Sequence, residues 1–287
     1  MLTEVAVIDA HGKHAQAVRF THDGKLLVST GQDANVRLWS VPSFAAAGAF
    51  AGHKNSVNSL SFSPDERLLA TGSTDGTVRV WSFPDGQCLH TLAKQTTGVF
   101  SPDGKQLATI SAKGQIVFWE VSSGRQIDSI GPFDKRTICL AFSPDGADVL
   151  LGGAGPIHRV KIATGEKQGE MTGHAVVVAC LRVSPDGKRL ASTGADGQLR
   201  LWSTKDWSLE RAVKIGACGV LQIAFAADSK SVAVAADHLL QIFSVKTGAV
   251  LDRIESPLKG LYGVAISPDG EYLANAAADG RIRIWRR

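Results

Sequence analysis

The stretch GHKNSVNSLSFSPDERLLATGSTDGTVRVWSFPDGQCLHTL, Gly52 to Leu92, contains four short apolar runs divided by turn residues. Val57 to Ser63 alternates apolar and polar side chains and stops at Pro64-Asp65, which reads as a strand closed by a reverse turn. Leu68 to Ser73 is a second apolar run, and Asp75-Gly76 is a strong two-residue hairpin signal. Thr77 to Ser82 alternates β-branched and polar residues, and after Pro84-Asp85-Gly86 a fourth run covers Gln87 to Leu92. Four antiparallel strands of this length form one sheet wedge that cannot bury both its faces alone.

The same turn recurs along the whole chain. Its Asp falls at 23, 65, 103, 145, 186, 228 and 269, in steps of 42, 38, 42, 41, 42 and 41 residues, each followed about 16 residues later by a Trp-type position. A period near 41 residues is one supersecondary unit copied seven times, and seven four-stranded antiparallel units predict an all-β, seven-bladed β-propeller. Helical repeats are excluded by the β-branched alternation and by glycine turns too close together for helices. The units account for residues 1–287 as one domain, with no spare segment for a second fold. The last unit stops at its third strand, Ile282-Arg283-Ile284-Trp285, and Glu4 to Asp9 (EVAVID) supplies the missing fourth. Residues 1–10 are therefore expected to join the last blade and close the ring without leaving an open edge strand.

Composition narrows the function classes. Apolar content of 44% with 20% charged residues fits a well-buried globular protein, and a net charge of +4 gives little support to nucleic acid or anionic membrane as partners. No run of 18 apolar residues occurs, and MLTEVAVIDAHGK lacks the basic head and apolar core of a signal peptide. Four cysteines do not make a disulfide framework, and Cys139 and Cys180 occupy a column shared with Ala17, Ser59, Gln222 and Gly263, so they read as small packing groups. A reduced, cytoplasmic protein is expected. No metal or cofactor is expected either: CxxC, HExxH and a phosphate-binding glycine loop are all missing, and His11 with His14 is too thin a pair for a metal.

Three units carry a fuller pattern. His53, Thr71, Asp75 and Trp81 recur with matched spacing as His11, Ser29, Asp33 and Trp39, and as His174, Ser192, Asp196 and Trp202. These units resemble the WD-repeat β-propeller family, and the likeness covers the entire chain. The resemblance implies that each quartet is a buried network stapling a loop to the inner strands of its blade. A Ser-His-Asp hydrolase reading fails on number, since the trio occurs three times in separate blades whereas acyl transfer needs one site with an oxyanion hole. The remaining units depart from the pattern. Unit three has Lys113 in place of Asp and keeps Trp119 after a shorter loop; unit four has Gly155 and Lys161 and no His at the motif position; unit six has Asp237 with Phe243; unit seven has Asn275, Asp279 and Trp285. Joint loss in unit four is what buried polar groups demand, because a half-satisfied network leaves a desolvated group costing about 1–3 kcal/mol.

The resemblance also implies that the face bearing the His loops and Asp turns engages partners, here one or more proteins or peptides. Carried over position by position, the candidate contacts are His14, Gln16 and Gln32, then Ser56, Asn58 and Thr74, on units one and two. Arg136 and Ile138 follow on unit four, Val177, Ala179 and Ala195 on unit five, Gly219 and Leu221 on unit six, and Lys259, Gly260 and Tyr262 on unit seven. A polar half and an apolar half are expected, with docking on units four to seven. The Lys and Arg columns after the turns and before the Trp positions read as ordinary solvated sites. Trp207 reads as either rim packing or an accessory contact. The function so implied is a non-enzymatic interaction scaffold or sensor platform. The alternative is a propeller enzyme or small-ligand binder at the central channel, whose nearest columns are mostly Ala, Gly and Ser; a nucleic-acid binder ranks below both.

Overall fold

A computed structural model describes residues 2–134, 136–216, 221–256 and 260–287, the side chain of Leu221 excepted. Its regular elements are all strands, arranged as seven four-stranded antiparallel sheets. Blade two, the opening stretch, comprises Val57–Phe62, Leu68–Ser73, Thr77–Ser82 and Cys88–Ala93, paired in chain order. Blades one and three to six repeat that order. Each innermost strand packs against the innermost strands of both neighbours, so the ring closes.

The seam lies where the sequence places it. Thr3–Asp9 pairs antiparallel with Arg281–Arg286, Thr3 opposite Arg286 and Asp9 opposite Arg281, and becomes the outer strand of the blade built from Leu261–Ile266 and Tyr272–Ala277. Its side chains are largely exposed, but Ile8 is buried in the cluster shared by blades seven and one. Seven hydrophobic clusters fill the seven spaces between adjacent blades. Every blade thus buries both faces against neighbours, and only the ring as a whole removes its apolar surface from water.

The strand-linking turns on one face form a second ring. In six blades a Ser or Thr hydroxyl bonds the turn Asp, as Ser63 does to Asp65 at 2.7 Å, which explains the Ser-Pro-Asp spelling. The proline of one turn packs on the glycine of the next: Pro64 lies 3.2 Å from where a Cβ on Gly104 would sit, and Pro102 meets Gly146 likewise. Blade one has His22 in place of Pro, and the following blade has Glu66 in place of Gly. The Glu66 carboxylate accepts the His22 backbone N–H at 2.7 Å, a donor that proline lacks. Glu66 keeps, at 53°, the left-handed φ that glycine holds at this turn position in blades such as the first and third.

Candidate functional site

Both the quartets and the proposed contacts lie on the opposite face, formed by the loops entering each blade and the turns between second and third strands. All three quartets assemble. In blade two His53 Nδ1 lies 2.9 Å from Asp75 and Nε2 lies 2.8 Å from the Thr71 hydroxyl, which also accepts the Trp81 indole N–H at 2.8 Å. His11, Asp33, Ser29 and Trp39 meet at 2.8, 3.0 and 3.0 Å, and His174, Asp196, Ser192 and Trp202 at 3.0, 2.8 and 2.8 Å. The donors run one way: indole N–H to hydroxyl, hydroxyl to Nε2, Nδ1–H to carboxylate. That order requires a neutral imidazole. Burial lowers all three His pKa values below the usual value, against the pull of the Asp partners. Burial alone would raise Asp75, but bonds from Thr77, the Lys54 amide and His53 hold it well below the ordinary carboxylate range. A Cβ on Gly194 would sit 2.6 Å from His174 Nδ1, so glycine lets the ring lie against its strand.

The departing blades keep what remains satisfiable. In blade three the Trp119 indole donates to Thr109 at 2.8 Å, and Thr109 donates at 2.8 Å to the side-chain oxygen of Gln95, which is buried. Gln95 therefore stands in for the imidazole. In blade seven Trp285 donates to Asn275 at 2.7 Å. Blades four and six fill the hydroxyl position with Leu151 and Val234, both fully buried.

The contact face divides, though not along the expected line. Gln16, Gln32, Ser56, Asn58 and Thr74 line a polar hollow of about 350 Å³ between blades one and two, with Lys13 and Asn55 at its edge. On blades four and five Ile138, Val176 and Val177 are exposed at 51%, 45% and 37%. Their loops run side by side, the Cys139 thiol reaching the Val178 carbonyl at 3.5 Å. Arg136 is exposed nearby and forms an ion pair with Asp134 at 2.8 Å. Tyr262, expected among the apolar anchors, is half-buried and stacks on His14 at 5.6 Å between ring centroids, and His14 in turn meets Gln32 at 3.3 Å. Of the other expected contacts, Gly219 and Lys259, with the side chain of Leu221, lie outside the described residues. Trp207 packs at the rim with Arg159 above its ring at 5.3 Å.

The arginines two places before the Trp positions are engaged within their own blades. Arg37 meets Asp33 at 2.6 Å, Arg283 meets Asp279 at 2.7 Å, and Arg79 lies over Trp81 at 5.8 Å. The central channel carries charge that the expected Ala, Gly and Ser lining omits. It encloses about 680 Å³, and Arg19 and Arg182 are on its wall. A comparison of the columns four residues before each turn Asp reveals both, but that column belongs to no motif. Cys180 is buried as expected, whereas Cys139 is half-buried on the channel wall. Cys88, Cys139 and Cys180 are free thiols. Among the described residues no group of three or more His, Cys, Asp or Glu is placed to hold a metal, and no helix is long and apolar enough to cross a membrane.

Comparison with known proteins agrees with the geometry. The family model described as WD domain, G-beta repeat matches residues 2–40, 46–82, 165–203 and 250–286, a little over half the chain. These segments include the three quartets and the blade that closes the ring. An uncharacterized WD repeat-containing protein of Synechocystis is 30% identical over 118 residues, which is 41% of this chain and 34% of that protein. The small ribosomal subunit protein RACK1 of Schizosaccharomyces pombe is 30% identical over 127 residues, 40% of this chain and 39% of RACK1. A rice chromatin assembly factor 1 subunit FAS2 homolog is 28% identical over 132 residues, 44% and 26% of the two chains. The matched region spans well under half the length of each of these relatives.

Proposed function

This chain belongs to the WD-repeat β-propeller family, and we propose that it works as a non-catalytic platform for protein–protein assembly, docking its partner on the loop face. The observation that carries the reading is the exposed aliphatic sector of Ile138, Val176 and Val177, with Arg136 beside it. Side chains of this kind on a rigid, closed scaffold lose little by being covered, and an apolar centre with an arginine rim is the composition of an interface. The polar hollow on blades one and two supplies hydrogen-bonding groups at the far end of the same face. Relatives named for assemblies, a ribosomal subunit protein and a chromatin assembly factor subunit, lend the reading further support.

A catalytic role for the quartets is disfavoured by access. Ser29 and Ser192 are 0% exposed and Thr71 is 1%, and each hydroxyl already donates to a His and accepts from a Trp. The pairing of the strand arginines with carboxylates of their own blades weighs against a polyanion-binding outer surface. The test is affinity capture from the native host with the wild-type chain and with an Ile138→Asp, Arg136→Ala double variant of unchanged melting temperature. Loss of specific partners is expected, and a folded variant that retains every partner refutes the placement on blades four and five.

A further inference from the structure

We propose that the central channel contains a binding site for a small polyanion, a phosphate ester or polycarboxylate, gripped between Arg19 of blade one and Arg182 of blade five. Both side chains stand on the innermost strands, Ala15–Phe20 and Val178–Val183, each four residues before its turn Asp. Their ladder partners, Val28 and Ala191, are likewise equivalent, so the two guanidinium groups belong to one rung of the ring. The other five blades fill that rung with Ser61, Val99, Ala141, Ala224 and Ala265. Two cations thus enter a ring of small uncharged side chains, inside a cavity of about 680 Å³. That volume suits a small ligand.

Neither arginine has a carboxylate partner among the described residues, unlike Arg37, Arg200 and Arg283 on the third strands of their blades. Arg182 Nε is buried with no hydrogen bond, and its one bond runs from Nη1 to the Leu181 carbonyl at 3.1 Å. The charge of Arg182, followed by burial, is what most disfavours the protonated form of Arg19, and no carboxylate offsets it. The only carboxylate on the cavity wall among the described residues, Glu66, is at the turn face and already accepts the His22 amide. Two half-buried like charges, one with an idle Nε donor, repel each other across the channel, and an anion between them reverses the sign of the interaction. Guanidinium forks suit the oxygens of phosphate and carboxylate in particular. Gln222 and Thr97 on the same wall offer uncharged hydrogen-bonding groups to the rest of such a ligand.

The test is calorimetric titration of the full chain with inorganic pyrophosphate and, separately, citrate, against sodium chloride of equal ionic strength. One saturable site is expected for at least one probe, weakened about tenfold or more in Arg19→Gln and in Arg182→Gln and abolished in the pair. Ser61→Glu, which keeps both arginines but places a carboxylate on their rung, is expected to abolish binding as well, and covers the case in which an arginine variant fails to fold. Arg125→Gln, an exposed control, is expected to bind like wild type. Without ligand, Arg182→Gln is expected to melt no lower than wild type. The proposal is overturned by the absence of a saturable site for either probe, by retained affinity in the double variant or Ser61→Glu, or by equal loss in Arg125→Gln.

Discussion

Replacing His53 with alanine isolates what a quartet contributes to the ring. The imidazole is fully buried and makes two bonds, to Asp75 at 2.9 Å and Thr71 at 2.8 Å. Asp75 keeps Thr77 and the Lys54 amide at 2.7 and 2.9 Å, so its charge stays solvated by the protein. The Thr71 hydroxyl still receives the Trp81 N–H but has nowhere to send its own proton. Two net hydrogen bonds at about 1 kcal/mol each and one orphaned buried donor at about 1–3 kcal/mol give a loss of about 3–5 kcal/mol. For a chain of this size that lowers the melting temperature by about 5–10 °C, readable by circular dichroism or calorimetry. Asp196→Asn, which removes the charge but leaves an oxygen for His174, is expected to cost less, about 1–3 kcal/mol. A His53→Ala protein that melts within a degree of wild type yet loses its partners would refute the reasoning, because the histidine would then serve binding and not the fold.

Stability is also expected to depend on pH through the three buried imidazoles. Their folded pKa values lie below the ordinary value, so the folded state resists protons that the unfolded chain accepts. Their contribution is complete above pH of about 6.5 and is lost as pH falls through that point toward the folded values, with a slope approaching about 1.4 kcal/mol per pH unit for each histidine. Urea midpoints measured between pH 7 and pH 5 test this, and a flat profile, or one equally steep after all three histidines are replaced, would count against it. Deleting residues 1–10 is expected to remove the burial of Ile8, worth about 2–3 kcal/mol, and to bare the edge of Arg281–Arg286. Lower urea midpoints and concentration-dependent oligomers on size exclusion are the expected readings; an unchanged monomer of full stability would show that closure is dispensable.

Most of the ring is legible in one dimension because its rules are local. A turn residue every few positions and a period near 41 specify the blades, and EVAVID supplies a strand where the last unit lacks one. The quartets are legible because both of their intervals, His to Asp and Asp to Trp, lie within one unit. Gln95 escapes this reading because the shortened loop of unit three removes the fixed offset by which a histidine is sought. Tyr262 and His14 stand far apart in sequence and meet only across the junction of blades seven and one, so a residue expected to face solvent proves half-covered. Arg19 and Arg182 lie in columns whose other members are small, and their convergence becomes visible only once seven strands surround one axis. The exchange of Pro for His22 with Gly for Glu66 shows the same effect: each looks like a lapse in its own unit, and together they make one bond.

The antiparallel seam has a mechanical corollary. Thr3 is opposite Arg286, so both ends emerge together from the turn face. Traction applied at those ends pulls across the ladder instead of along it, loading one rung at a time from Thr3 towards Asp9, as a zip opens. A tether attached to either end would hold the disc by its underside and leave the opposite surface pointing outward, while a modest tug on both ends would peel away the strand that keeps the circle shut.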